Sequence, residues 1–193
     1  MAGDRGCVEL SDHLATGTWQ HRGERVLYDS DWVRLAIADV LLPDGNQVDH
    51  HLVRMPRPAA GTVIMDDGRV LLMYRHRFIT DTWGWEIPAG MVDDGENADR
   101  AAIRESLEES GWEPRSVQPL CSFNPATGVL DQTFHIFFSS DAVHRGDPID
   151  TNEAVRIEWH AIDRVVAMLG AGEISDGLSF GALSFALATG VLH

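Results

Sequence analysis

The chain has 193 residues, with 15 Lys and Arg against 30 Asp and Glu, a formal net charge of −15. At ~150 residues per domain this is one domain with an extension, long enough to bury a core. The acidic balance and the lack of any basic run exclude nucleic acid and anionic membranes as partners. No apolar run reaches the ~18 residues that span a bilayer, and Met1–Ser11 is too polar for a secretion signal. Cys7 and Cys121 make neither a disulfide scaffold nor a zinc spacing, so a reducing, cytoplasmic setting is expected.

In chain order, residues 1–23 form a polar N-terminal arm. Residues 24–57 form a β extension: Arg25–Tyr28 is a short extended run, and Trp32–Leu42 carries apolar Trp32, Leu35, Ile37 and Val40. Pro43-Asp44-Gly45 turns the chain, and Val48–Met55 returns as the second strand of a hairpin. Pro56 and Pro58 mark a boundary, and 58–193 is the main domain. It opens with a strand at Thr62–Met65, a tight Asp66-Asp67-Gly68 turn and a strand at Arg69–Arg75. A helix is predicted over 97–110, with Asn97 as N-cap and Gly111 just past the end. Strands follow at Ser116–Phe123, Gln132–Phe138 and Ala154–Ala161, then helices at Ile162–Leu169 and Leu178–Ala188. The last is read as an amphipathic packing helix. Strands and helices mix without βαβ alternation, which predicts a mixed sheet packed by helices. His50 and His51 alternate to opposite faces of a strand, and His135 and His160 are half-buried structural residues.

The chemistry concentrates on the 97–110 helix. Glu105, Glu108 and Glu109 fall on one side of it, at spacings where like charges repel unless a cation is present. Oxygen ligands without nearby Cys or His suit Mg²⁺ or Mn²⁺. Arg104 is placed to orient a carboxylate by a bidentate pair. The preceding Pro88–Gly95 loop has glycines that let a backbone carbonyl approach the same metals. Such metals serve phosphate chemistry by neutralising charge and acidifying water.

The full spacing is Gly90, five residues, Glu96, seven residues, Arg104-Glu105, two residues, Glu108-Glu109, one residue, Gly111, then Trp112. It resembles the Nudix box of the Nudix hydrolases, a match with a chance probability on the order of 10⁻⁶. Ser106 stands where that family usually has an aliphatic residue, which predicts a small local gap. The resemblance implies a Nudix α/β/α sandwich, with the small N-terminal antiparallel sheet beside it. It implies Glu105 and Glu109 as main metal ligands, Glu108 as a further one and the Ala89 carbonyl as another. Arg104 would hold the glutamates and Glu96 would support them.

Beyond the box, Tyr74-Arg75-His76-Arg77 and Trp85-Glu86-Ile87-Pro88-Ala89-Gly90 look like the ADP-ribose pyrophosphatase branch. That implies Arg75 at a phosphate or terminal ribose, Glu86 on nucleotide polar groups, and Arg77 and Trp83 completing the pocket. It also implies a homodimer through the N-terminal sheet. The expected partner is a nucleoside diphosphate-linked small molecule, ADP-ribose first, hydrolysed to AMP and ribose 5-phosphate. GDP- or UDP-sugars, NADH and dinucleoside polyphosphates are alternatives, as is a non-catalytic nucleotide sensor. Gln132 and Thr151 depart from the branch pattern, and the general base falls to Glu153, Glu108 or Glu109.

Overall fold

The computed structural model describes residues 17–149 and 154–193. Residues 1–16 of the expected arm, and the expected base Glu153, lie outside the described residues. The chain divides into two compact units, one running to Pro56 and including Gly128–Asp131, the other comprising Arg57–Thr127 and Gln132–His193.

The smaller unit is an antiparallel sheet of β1 (Gln20–Asp29), β2 (Arg34–Leu41) and β3 (Gln47–Arg54), in that order. The expected hairpin is β2–β3, closed by a turn in which Gly45 takes φ +87° and the Asp44 carboxylate accepts from Asn46 N at 2.9 Å. The short run at Arg25–Tyr28 is part of a full third strand, and β1 already begins at Gln20. The buried face of β2 is not the one the larger apolar residues suggested. Ala36, Ala38 and Val40 are buried, whereas Leu35 is exposed and Trp32, in the bend before the strand, is 67% exposed. Strict alternation puts Leu35 and Ile37 on the face opposite the small residues.

The larger unit contains β4 (Ala59–Asp66), β5 (Arg69–Arg77), β6 (Thr82–Glu86), β7 (Ala89–Met91), α1 (Ala98–Ser110), β8 (Trp112–Pro114), β9 (Gln118–Phe123), β10 (Phe134–Ser139), β11 (Ala142–His144), β12 (Arg156–Ala161), α2 (Ile162–Ala171) and α3 (Gly177–Ala188). Its main sheet runs β12-β5-β4-β10-β9, with β6 added to β5 and β7 to β4. The β4–β10 pair is parallel and the rest are antiparallel, so the sheet is mixed as expected. The β4–β5 turn uses Asp67 at φ +45° and Gly68 at φ +69°, the geometry of a two-residue hairpin turn. Those strands then part after two paired positions, and each recruits new neighbours.

Alternation along β4 builds both layers. Ala60 packs in a cluster with Ala101 and Ala102 of α1, Val92 and Phe137. Ala59 and Val63 point the other way, into the larger core with Val165 and Met168 of α2 and Leu178, Ala182 and Leu183 of α3. The sandwich of helix, mixed sheet and helices is thus formed. The last helix is more apolar than an amphipathic reading allows: Leu183 and Ala186 are buried, yet Phe180 and Phe185 remain exposed. Among the described residues no helix is long and apolar enough to cross a membrane.

Candidate active site

Helix α1 begins after Asn97, whose backbone is extended as an N-cap requires, although its side chain makes no capping bond. It ends at Gly111, which takes the left-handed conformation (φ +74°) and donates its N–H to Leu107 O. Its buried stripe is Ala101, Ala102, Ser106, Glu109 and Ser110. Small residues there let the helix lie close to β4. Thr62 Oγ1 reaches Ala102 O at 3.1 Å. Ser106 is fully buried, and its hydroxyl donates back to Ala102 O at 2.6 Å.

The stripe ends in a carboxylate. Glu109 is only 6% exposed; its Oε1 accepts from Arg75 Nη1 at 3.1 Å and its Oε2 from the Ala89 N–H at 2.8 Å. Burial pushes its pKa up to about 7, against the pull of the Ala89 N–H and the Arg75 charge. Thus Ala89 enters the site by its amide, whereas the sequence had implied its carbonyl.

Arg104 gathers the other carboxylates. Its bidentate partner is Glu96, through Nε at 3.1 Å and Nη2 at 2.9 Å. Its Nη1 reaches Glu105 Oε1 at 2.7 Å and Glu108 Oε2 at 3.1 Å, and Nη2 also donates to Met91 O at 3.0 Å. Glu96 is held below the usual carboxylate range by Arg104. Glu105 is raised, by burial first and by neighbouring Glu108, with Arg104 opposing. Its carboxylate lies over Gly90, where a Cβ would stand 2.1 Å from Glu105 Cδ. Only glycine admits it.

Among the described residues no three acidic, His or Cys side chains already converge as a metal-binding group, since Arg75 and Arg104 engage the carboxylates. The donor set nonetheless fits a hard divalent cation. It is all oxygen, it sits on one helix face, and two of its carboxylates are raised by a burial that a cation would offset.

Beside this face is a cavity of ≈ 880 Å³, lined by Arg75, Arg77, Phe78, Glu86, Ala89, Gly90 and Asp176 among others. The β5–β6 register places Arg75 opposite Gly84 and Arg77 opposite Thr82, so both arginines share a face with Glu86. Glu86 is 3% exposed and gives both oxygens to Arg77, at 3.0, 3.2 and 2.5 Å. Trp83 does not join them. It points from the opposite face of β6, with its ring stacked on Tyr74 at 5.4 Å and beside His76 at 5.1 Å. Trp85 shares that face and is buried in the core, edge-on to His160.

Sequence reading missed the Arg75–Glu109 pair and the α3 cap that borders the cavity. In that cap Asp176 accepts from Ser179 N at 2.8 Å, and Ser179 Oγ accepts from Ile87 N at 3.1 Å. The Asp-x-x-Ser spacing ahead of the last helix was the available signal.

Comparison with known proteins agrees with this geometry. The NUDIX domain model matches residues 55–177. A CMP-5'-(N-acetyl-N-hydroxy-3-aminopropyl)phosphonate hydrolase of Streptomyces rubellomurinus is 41% identical over 167 residues, covering 86% of this chain and 81% of that protein. An ADP-ribose pyrophosphatase of Bacillus subtilis is 22% identical over 161 residues, covering 82% and 87%. Among solved structures, an ADP compounds hydrolase superposes with a TM-score of 0.79 at 17% identity, covering 89% of this chain and 93% of that one, a likeness of fold.

Proposed function

The chain belongs to the NUDIX family and is a pyrophosphohydrolase, and we propose that it cleaves the pyrophosphate bond of a nucleoside diphosphate sugar, with ADP-ribose giving AMP and ribose 5-phosphate as the leading case. One observation carries this reading. Arg75, Ala89 and Gly90, which touch Glu109 and Glu105, also line the cavity, so a phosphate seated there meets the acidic helix face. Glu105, Glu108 and Glu109, with the Ala89 carbonyl, would hold Mg²⁺ or Mn²⁺. When bound, such a cation neutralises charge on the phosphates and lowers the pKa of water.

The chain's own groups do the rest. Arg104 fixes the rotamers of Glu105 and Glu108, and Arg75 fixes Glu109. Arg75 and Arg77 supply positive charge to the diphosphate on a chain of net charge −15. A carboxylate, Glu153, Glu108 or Glu109, takes the proton from the attacking water. The water oxygen bonds to one phosphorus and the anhydride P–O bond breaks. Retention of all the box glutamates supports an enzyme over a nucleotide sensor.

A second reading follows from the Streptomyces relative: a CMP-linked phosphonate as substrate, supported by 41% identity over most of both chains. A panel of ADP-ribose, GDP- and UDP-sugars, NADH, a diadenosine polyphosphate and a CMP-linked phosphonate separates the readings by relative kcat/KM. Preference for the diadenosine compound would defeat both.

We also infer a cytoplasmic homodimer. The small sheet leaves Val26, Leu27, Tyr28 and Trp32 exposed, and a lone three-stranded sheet gains stability by covering such residues.

A further inference from the structure

We infer that Glu86 never touches substrate: it is a positioning residue that presents Arg77 to the phosphoryl or phosphonyl group remote from the acidic helix face. The inference rests on the pyrophosphohydrolase reading above and assigns the second half of its anhydride. Glu86 lies on the cavity wall, yet it is buried and both its oxygens are taken by Arg77 through Nε and Nη2. Its Oε2 is also 4.0 Å from Arg75 Nε. Burial and this two-pronged pair commit the carboxylate to Arg77.

Arg77 is the reverse case. Its side chain is 45% exposed, and the bonds to Glu86 use one edge of the guanidinium. The N–H groups of the other edge are the ones that solvent and a ligand reach. The order along the wall is Glu109, Arg75, Glu86, Arg77, an alternation of charge that begins at the acidic helix face and ends in an available cation. Within that row Glu109 and Glu86 offset Arg75, and the exposed positive end is Arg77, placed for one phosphorus oxyanion. Without Glu86 an arginine near a strand end samples many rotamers, and the entropy of fixing it falls on the binding step. Because this contact reads only phosphorus oxygens, it serves a sugar phosphate and a phosphonate alike.

The test is a double-mutant cycle with Glu86→Gln, Arg77→Gln and both together, on ADP-ribose and on a CMP-linked phosphonate. Each single change is expected to raise KM ~10-fold, the scale of one charge-assisted hydrogen bond, with kcat within ~3-fold. The factor should be equal for adenine and cytosine substrates, and the double variant should match either single one. A double effect that multiplies, or a Glu86→Gln effect confined to one base, would overturn the inference by putting Glu86 on the substrate. If Glu86→Gln fails to fold, Arg77→Gln decides: an unchanged KM overturns the inference, a base-independent rise supports it. Failure of the wider reading is separable, because the wild-type protein would then turn over neither compound. The cycle would be run on whichever substrate it does cleave, with the same criterion of non-additivity.

Discussion

Arg75 on β5 and Glu109 on α1 meet at 3.1 Å across 34 residues of chain, and the same glutamate takes the Ala89 N–H. This contact fixes the acidic helix face against the strand that carries the cavity's arginines. It also leaves a carboxylate in a place where α1 otherwise buries small residues.

Replacing Glu109 by Gln removes one charged oxygen ligand while keeping the volume. Turnover is expected to fall at least ~10²-fold, as several kcal/mol of metal-borne charge stabilisation are lost. Folding should survive, since the amide oxygen can still accept from Ala89 N and the repulsion with Glu105 is relieved. Near-normal turnover at saturating Mg²⁺ would count against the metal role.

The same residue predicts a pH dependence in metal-free protein. Its ordinary value of 4.5 is raised to about 7 on folding, by burial first. Between those values the folded chain keeps a proton that the unfolded chain has lost. Its contribution to stability is therefore full below pH ~4.5, declines as pH rises through ~7 and stays lost above. The ceiling on that slope is ~1.4 kcal/mol per pH unit. Urea denaturation in EDTA from pH 5 to 8 should show Glu109→Gln gaining on the wild type as pH rises. Parallel curves would contradict this.

Gly90→Ala tests the seat of Glu105. The new Cβ would fall 2.1 Å from Cδ and 2.3 Å from both carboxylate oxygens, so the glutamate must swing away. The obstructing atoms are the far end of a flexible side chain, so the fold should persist. Activation should need at least ~10-fold more Mg²⁺, measured as the half-saturating concentration; an unchanged value would show that Glu105 does not bind metal from this position.

The arrangement of the helix's charged groups was legible because it is local. Charges at three- and four-residue spacing, an Asn before and a Gly after are all read along the chain, and Arg104 reaches Glu96 only eight residues away. The Arg75–Glu109 pair was not legible, since it depends on how β5 packs beside α1. Trp83 was misplaced because β6, five residues long with a central glycine, was not read as a strand; alternation with Glu86 inward would have sent Trp83 to the other face. The partner of the Ser106 hydroxyl was not legible either: the hydroxyl is satisfied on the preceding turn, at Ala102 O. In β2 the large apolar residues drew attention, whereas the alanines form the buried face.

The proposed homodimer rests on the exposed apolar residues of the small sheet and is tested by mass. Light scattering at micromolar concentration should give about twice the 21.3 kDa chain mass. Trp32→Glu, at a residue already 67% exposed, should shift the protein toward monomer with little change in monomer stability. A wild-type mass near 21.3 kDa would contradict the dimer.

The most direct test of the central claim is hydrolysis in ¹⁸O-enriched water, with mass spectrometry of the products from ADP-ribose and from a CMP-linked phosphonate. The expected result is cleavage of the P–O–P bond to a nucleoside monophosphate and a second phosphorus acid. One ¹⁸O should enter a single product, and no reaction should occur without a divalent cation. The claim is contradicted if neither compound is cleaved, or if a nucleoside triphosphate or dinucleoside polyphosphate is cleaved ~10²-fold more efficiently than every nucleoside diphosphate-linked compound.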